Sequence, residues 1–145
     1  MALMESQNSA IKTLISYGSA QSNAMYSLSA LAQIKGWNFE FYVQHIPSWL
    51  KDSPIGNYRG ALDLGMSITA MQDIESPLHP TEYIEQVRGL DDTTLVVPEG
   101  GKARIAEAGV KQLARELLDW TRLEGKKQFV VALPSGTGTT ALYLS

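Results

Sequence analysis

Hydrophobic positions along the chain alternate between short apolar runs and a spacing of three and four residues. Short runs bounded by turn residues predict buried strands, and the longer spacing predicts amphipathic helices. Strands are predicted at 11–17, 39–43, 67–71, 93–97 and 128–133. Helices are predicted at 23–35, 57–64, 80–88 and 103–123, with another beginning near residue 140. This alternation indicates parallel strands joined by helical crossovers, which is an α/β fold with a layered parallel sheet and flanking helices.

Composition narrows the class of partner. The 145 residues are 44% hydrophobic and 19% charged, and the net charge is −3. Such a composition is typical of a globular domain, and without a basic patch we expect neither nucleic acid nor a membrane surface as partner. The chain has no cysteine, so disulfides, thiolate metal sites and a cysteine nucleophile are excluded. His45 and His79 have no acidic partner at metal-ligand spacing, and no metal site is expected.

The two ends of the chain are also informative. No signal peptide pattern opens the sequence, and the longest apolar runs of about five residues are far shorter than a membrane span. We therefore expect a cytoplasmic protein. The first predicted strand has little sequence before it, and the closing apolar stretch at 141–144 is short for a helix that buries a face. Both ends are therefore expected to be truncated.

Two predicted turns share one design, a strand followed by small polar residues and a helix. They are 18–23, with sequence GSAQSN, and 135–140, with sequence SGTGTT. A helix N-terminus offers free N–H groups to an anion, and in a parallel sheet such turns lie at the carboxyl ends of strands. The second turn lacks the lysine of a Walker loop and the full G-x-G-x-x-G spacing. Ordinary loop structure for the second turn, and helix capping by Ser22 or Asn23 in the first, remain alternatives.

Three segments occur in a recognisable order: YGSAQSNA at 17–24, PEGG at 98–101 and SGTGTT at 135–140. Together they resemble the 1-aminocyclopropane-1-carboxylate (ACC) deaminase and D-cysteine desulfhydrase family. This is a family of pyridoxal 5'-phosphate (PLP) enzymes with the tryptophan-synthase-β fold, fold type II. The resemblance spans about 11–144 and implies the central part of such an enzyme, truncated at both ends. It implies an N-terminal tail at 1–10, a portion of a small α/β domain at 11–90, and part of a large, phosphate-binding domain at 91–145.

The resemblance also implies roles for individual residues. Asn23 is expected to hydrogen-bond the ring hydroxyl of PLP. Ser22, together with Gln21, is expected to hold the substrate carboxylate, and Ser22 is the candidate catalytic residue. The remaining cofactor-binding residues implied are Gly100 and Gly101 beside the ring, and Ser135, Gly136, Thr137, Gly138, Thr139 and Thr140 around the phosphate.

One departure from the family bears on activity. In the family, the Schiff-base lysine precedes the serine that corresponds to Ser22. The family's spacing would put that lysine before residue 1, and Lys12 does not correspond to it. That lysine carries the cofactor and moves protons, so the chain as given is expected to be inactive. The function implied is that of a fragment or truncated homologue of a deaminase or desulfhydrase acting on a small amino acid. A non-catalytic PLP- or phosphate-binding module and an unrelated nucleotide-binding domain are alternatives, and homo-oligomerisation is left open.

Overall fold

A computed structural model describes residues 11–99, 104–125, 128–133 and 139–144. They fall into two compact units, one ending at Glu99 and the other beginning at Gly100. The first unit contains the strands β1 (Thr13–Tyr17), β2 (Asn38–Val43), β3 (Met66–Ala70) and β4 (Thr94–Val97). Its helices are α1 (Asn23–Lys35), α2 (Ser48–Asp52), α3 (Gly56–Asp63) and α4 (Pro80–Tyr83), the last continued by a π-helical segment, Ile84–Arg88. The second unit contains α5 (Arg104–Leu123) and α6 (Thr139–Leu144).

The four strands form one parallel sheet in the order β3-β2-β1-β4. Thr13 at the start of β1 lies opposite Asn38 on one side and Thr94 on the other. The central strand β1 is buried along Thr13–Ser16, as expected for a strand covered on both faces. The predicted α/β fold with a parallel sheet and flanking helices is confirmed.

Two hydrophobic clusters cover the sheet. Alternate β1 residues belong to different clusters, because successive side chains of a strand point to opposite faces. Leu14 joins the larger cluster, which includes residues of α1, α2 and α3, and Ile15 joins the smaller one, which includes Ile84 of the π-helical segment. The connections β1-α1-β2 and β2-α3-β3 advance across the sheet in one direction, and the return to β4 runs the other way. Because the crossover connections all have the same, right-handed sense, connections that run in opposite directions place their helices on opposite faces of the sheet.

Helix α1 has the predicted limits because both of its ends are capped. Ser22 is the N-cap residue, and its side chain accepts a hydrogen bond from the N–H of Met25. Gly36 adopts the left-handed conformation, with φ of 69°, and its N–H binds the carbonyls of Ala32 and Gln33. Glycine reaches this conformation without the steric cost of a Cβ atom.

Two of the predicted elements differ from the structure, and one short helix was not predicted. Residues 128–133 form no strand. A strand requires a partner for its backbone groups, and the described part of the second unit contains none. The short helix α2 was missed, and the helix predicted at 80–88 changes from α to π geometry after Tyr83.

The second unit is described by its own contacts. Helices α5 and α6 pack together, and an apolar cavity of about 280 Å³ lies among Ala114, Leu117, Leu118, Phe129, Val131, Leu133, Ala141 and Leu144. Leu113 and Trp120 of α5 are each 50% exposed. The assignment of 91–145 to a large cofactor-binding domain stays a prediction.

Candidate functional site

The strand order places a switch point between β1 and β4. The chain crosses the sheet from β1 through β2 to β3, then returns to form β4 on the other side of β1. In open parallel sheets, ligands bind outside the carboxyl ends of the strands at such a point. The turn Gly18–Asn23 follows β1, and Pro98 and Glu99 follow β4. The structure therefore brings the first predicted turn and the start of the PEGG segment to one edge of the sheet.

A cavity of about 430 Å³ opens at this edge. Its volume falls in the range of about 300–1,000 Å³ that is usual for small-molecule sites. Trp49 is 57% exposed, whereas Leu50 is buried. The lining residues come from the turns after β1, β2 and β4 and from the segment around α2: Gly18, Ser19, Ala20, Gln21, Gln44, His45, Pro47, Trp49, Leu50 and Glu99.

Gly18 occupies a crowded position and has a backbone conformation that other residues rarely adopt. Its φ is +150°, and a Cβ atom there would lie 3.2 Å from both Cγ and Oε1 of Glu99. The N–H of Gly18 donates to the carbonyl of Tyr42 at 3.1 Å. One residue earlier, the buried hydroxyl of Ser16 donates to the carbonyl of Val97 at 2.7 Å. These contacts hold the end of β1 against both neighbouring strands.

Ser22 caps α1, as the helix-capping alternative predicted. Its Oγ accepts from the N–H of Met25 at 3.3 Å, which leaves the hydroxyl hydrogen able to donate. The N–H groups of Asn23 and Ala24 have no acceptor among the residues that the structure describes. Free N–H groups at a helix start, with the positive end of the helix dipole, favour an anion. Capping and anion binding are therefore compatible at this turn.

The side chain of Gln21 is engaged by the start of α3. Its Oε1 accepts from the N–H of Tyr58 at 3.4 Å, and its Nε2 donates to the carbonyl of Ile55 at 3.3 Å. Gln21 therefore satisfies one of the orphan donors of α3. The substrate-carboxylate role implied for Gln21 stays a prediction, and in this conformation its amide is already paired.

The exposed Asn23 is also linked to α3. Its Oδ1 accepts from Nδ2 of Asn57 at 2.7 Å, and the same nitrogen donates to the carbonyl of Gln21 at 3.1 Å. The Asn23 amide nitrogen has no acceptor within the described part of the chain. A ring hydroxyl of a cofactor could accept from this nitrogen, so the residue present fits the role that the resemblance implies.

The remaining predicted site residues are placed only in part. Gly100, Gly101, Ser135, Gly136, Thr137 and Gly138 lie outside the described residues. Thr139 is the first residue of α6, and Thr140 follows it with an exposed side chain. Thr139 was expected to follow a strand, and this is wrong because 128–133 forms none.

Sequence reasoning missed Gln44, Trp49 and Asn57. Gln44 and His45 directly follow β2, so their position at the carboxyl edge could have been expected from the strand. Asn57 comes from a helix 34 residues beyond Asn23, and no local pattern signals that contact.

A polar cluster lies away from the candidate site, across β2 and the π-helical segment. Arg88 binds Glu40 with two hydrogen bonds, Nε to Oε2 at 2.8 Å and Nη2 to Oε1 at 2.9 Å, and Tyr42 donates to Oε2 at 2.7 Å. The hydrogen bonds from Arg88 lower the pKa of Glu40 despite some desolvation. Burial, followed by the hydrogen bond to Glu40, raises the pKa of Tyr42. The cluster is a hydrogen-bonded network that links β2 to the π-helical segment.

Neither a metal centre nor a membrane-spanning helix is present in the described ranges. There, no group of three or more His, Cys, Asp or Glu side chains is arranged to hold a metal ion. No described helix combines the length and the apolar character needed to cross a membrane.

Comparisons with known proteins bear on the fold. No protein-family model and no curated protein matches the sequence. The structure is similar to the crystal structure of an ACC deaminase homologue, with a TM-score of 0.62 and 16% identity, covering 99% of this chain and 42% of that one. It is also similar to Escherichia coli diaminopropionate ammonia lyase in apo form, with a TM-score of 0.63 and 18% identity, covering 92% of this chain and 36% of that one.

The likeness is one of fold. The resemblance to the ACC deaminase family and the expected fold-type-II architecture are confirmed at that level. The chain spans about two-fifths of the length of these neighbours. It therefore matches a part of each of these structures.

Proposed function

We propose that this chain carries part of a PLP-dependent deaminase or lyase that acts on a small amino acid. One observation carries the proposal: the GSAQSN turn lies at the switch point of the parallel sheet, with Ser22 capping α1 and the N–H groups of Asn23 and Ala24 without an acceptor among the described residues. This is the position at which open α/β sheets bind ligands. The order of motifs that resembles the ACC deaminase family supports PLP as that ligand.

One group of atoms at the turn is suited to the substrate, and another is suited to the cofactor. The N–H groups of Asn23 and Ala24 and the hydroxyl of Ser22 are suited to bind and orient an amino-acid carboxylate. The amide nitrogen of Asn23 is suited to hold the cofactor ring through its hydroxyl. When bound, PLP supplies an electron sink for the carbanion chemistry of amino acids, and the protein supplies the orientation.

The cavity beside the turn is suited to the substrate side chain. Trp49 and Leu50 provide apolar surface, while Gln44 and His45 provide hydrogen-bonding groups. A volume of about 430 Å³ accommodates a small amino acid. Deaminase and desulfhydrase activities, and the substrates ACC and D-cysteine, all remain within this proposal.

The test is a titration of the full chain with PLP, followed by absorption and fluorescence. We expect Asn23→Leu to weaken PLP binding by about two- to tenfold, because a single hydrogen bond contributes a net of about 0.5–1.5 kcal/mol. Asn38→Leu is the matched control, since Asn38 is also exposed but begins β2 at the opposite edge of the sheet. Equal affinity in the wild type and Asn23→Leu would contradict the proposed ring contact.

A second variant separates capping from carboxylate binding. Ser22→Asp keeps a good N-cap acceptor but replaces the donating hydroxyl with a negative charge. We expect helix stability to be retained while affinity for a small amino acid, measured by calorimetry on the PLP-loaded chain, falls. Tight binding of a nucleotide without PLP binding would instead favour the nucleotide-binding alternative.

A further inference from the structure

Asn57 is placed so that both of its amide hydrogens are used. Its nitrogen lies 2.7 Å from Oδ1 of Asn23 and 3.1 Å from the carbonyl of Gln21. A primary amide nitrogen carries two hydrogens and accepts none. Two oxygen acceptors around one nitrogen therefore determine which way the Asn57 amide points.

The orientation of Asn57 determines that of Asn23. Because Asn57 presents a donor, Asn23 turns its oxygen toward α3, and its own nitrogen faces away. The described residues offer no acceptor to that nitrogen. An asparagine amide is otherwise nearly symmetric in shape, and its hydrogen-bond network decides between the two orientations.

Two glycines of α3 allow this approach. Gly56 has φ of +57°, and a Cβ atom there would lie 3.1 Å from Oε1 of Gln21. One turn later, a Cβ atom on Gly60 would lie 2.7 Å from the ring of Tyr26 in α1. Because neither glycine has a Cβ atom, α3 can lie close to Tyr26 of α1 and to Gln21 in the turn before α1. The contact of Asn57 with Asn23 is therefore built into the packing of two helices.

We propose that Asn57 is a positioning residue, which directs the nitrogen of Asn23 toward the cofactor so that the site selects an unprotonated ring oxygen. This inference rests on the proposed function, because it takes PLP as the ligand of Asn23. A site with a donor and no acceptor at this position binds the oxyanion more strongly than the hydroxyl, since hydrogen bonds to ionised groups are the stronger ones. Asn57 acts on the ligand only through Asn23.

The experiment replaces the donor of Asn57 with an acceptor. In Asn57→Asp, the carboxylate accepts from Asn23, whose amide turns over and presents oxygen to the ligand. Asn57→Leu removes the donor without adding charge and guards against a local effect of the aspartate. Asn38→Asp is the control for charge at an exposed asparagine. Each full chain is titrated with PLP and with 3-deoxypyridoxal phosphate, which lacks the ring hydroxyl.

We expect Asn57→Asp to weaken PLP binding by about tenfold or more and Asn57→Leu to weaken it less, while affinity for the deoxy analogue stays unchanged. The fraction of bound PLP with an unprotonated ring oxygen, read from its absorption spectrum, should fall in parallel. An equal loss for both ligands would show a merely structural role for Asn57. Unchanged affinity for PLP in both variants would also overturn the proposal.

A measurement without ligand keeps this inference separate from the proposed function. In the wild type, hydrogen exchange followed by NMR should show both side-chain amide protons of Asn57 protected and those of Asn23 exchanging freely. In Asn57→Asp, an amide proton of Asn23 should become protected. If the wild type binds no PLP, the proposed function fails and the ligand role of Asn57 fails with it, whereas unprotected Asn57 protons overturn the positioning itself.

Discussion

At Gly18, both the backbone conformation and the neighbouring side chain of Glu99 disfavour a Cβ atom. Its φ of +150° is one that side chains rarely allow, and Glu99 leaves only 3.2 Å for a Cβ atom. We expect Gly18→Ala to lower the free energy of unfolding by about 1–3 kcal/mol, the usual cost of a strained backbone position. Urea denaturation measures this change.

A matched variant separates strain from crowding at Gly18. Gly36 also has a positive φ, +69°, but nothing lies within 4 Å of a Cβ atom there. Gly36→Ala should therefore show the backbone cost alone, about 1–2 kcal/mol. The Glu99→Ala background should recover part of the loss in Gly18→Ala and none of the loss in Gly36→Ala. Full stability of Gly18→Ala would contradict the steric account.

Individual residues could be predicted from the sequence where the signal was local. Ser22 as an N-cap and Gly36 as a C-cap follow from residue type and position relative to one helix. The pairing of Gln21 and Asn23 with α3 does not, because their partners lie at least 34 residues away. Such contacts depend on how two helices pack against each other, and a single sequence does not specify that packing.

At the scale of elements, β2 and the π-helical segment are joined by one partly buried ion pair. The side chains of Arg88 and Glu40 are 29% and 25% exposed, and both guanidinium contacts are shorter than 3 Å. A π turn inside a helix shifts the positions of the following side chains, and Arg88 is the last residue of this segment. The carboxylate of Glu40 also accepts a hydrogen bond from the hydroxyl of Tyr42.

We expect Glu40→Gln to lower the free energy of unfolding at pH 7 by about 1–3 kcal/mol, from lost hydrogen bonds to a charged group. The pKa of Glu40 is lowered in the folded state by Arg88, relative to an unfolded value of about 4.3. Its stabilisation is therefore fully present above that value and is lost as the pH falls through the folded pKa. Urea denaturation from pH 7 to acidic pH should show wild type and variant converging.

An exposed pair provides the control for this pH dependence. Arg59 and Asp63 lie one helical turn apart at 2.9 Å, with 59% and 60% of their side chains exposed. Surface pairs of this kind contribute about 0.2–1 kcal/mol, so Asp63→Asn should change stability little. A constant difference between Glu40→Gln and wild type across the whole pH range would contradict the coupling of Glu40 to Arg88.

The elements themselves were predicted well where they are long or buried, and poorly where they depend on a partner. Residues 128–133 are rich in β-branched and aromatic side chains, yet 128–133 forms no strand. Phe129, Val131 and Leu133 line the apolar cavity beside α5 and α6, whereas Val130 between them is 94% exposed. Propensity describes a suitable surface for pairing, and the pairing partner decides whether a strand forms.

At the scale of the first unit, the order of strands in the sheet differs from their order along the chain. Three βα connections in one direction would have placed β4 beyond β3, whereas the return to the other side of β1 creates the switch point. The sequence predicted parallel strands but not this order, because periodicity does not specify neighbours. The candidate site depends on that order, since Glu99 reaches Gly18 only if β4 lies beside β1.

The sheet of the first unit has a separate hydrophobic cluster on each of its two faces. Ile46 belongs to the larger cluster, and Ile84 belongs to the smaller one with Ile15. Each Ile→Val substitution removes one buried methylene group and should cost about 0.5–1.5 kcal/mol. Because the sheet separates the two clusters, we expect Ile46→Val and Ile84→Val to be additive within about 0.5 kcal/mol.

The pair Ile15→Val and Ile84→Val tests the opposite case. These residues share one cluster, and side chains around a shared cavity relax together, so their costs should deviate from additivity by about 0.5 kcal/mol or more. Urea denaturation of the single and double variants measures both interaction energies. If the interaction energy of the pair Ile46 and Ile84 equals that of the pair Ile15 and Ile84, the sheet does not separate two cores.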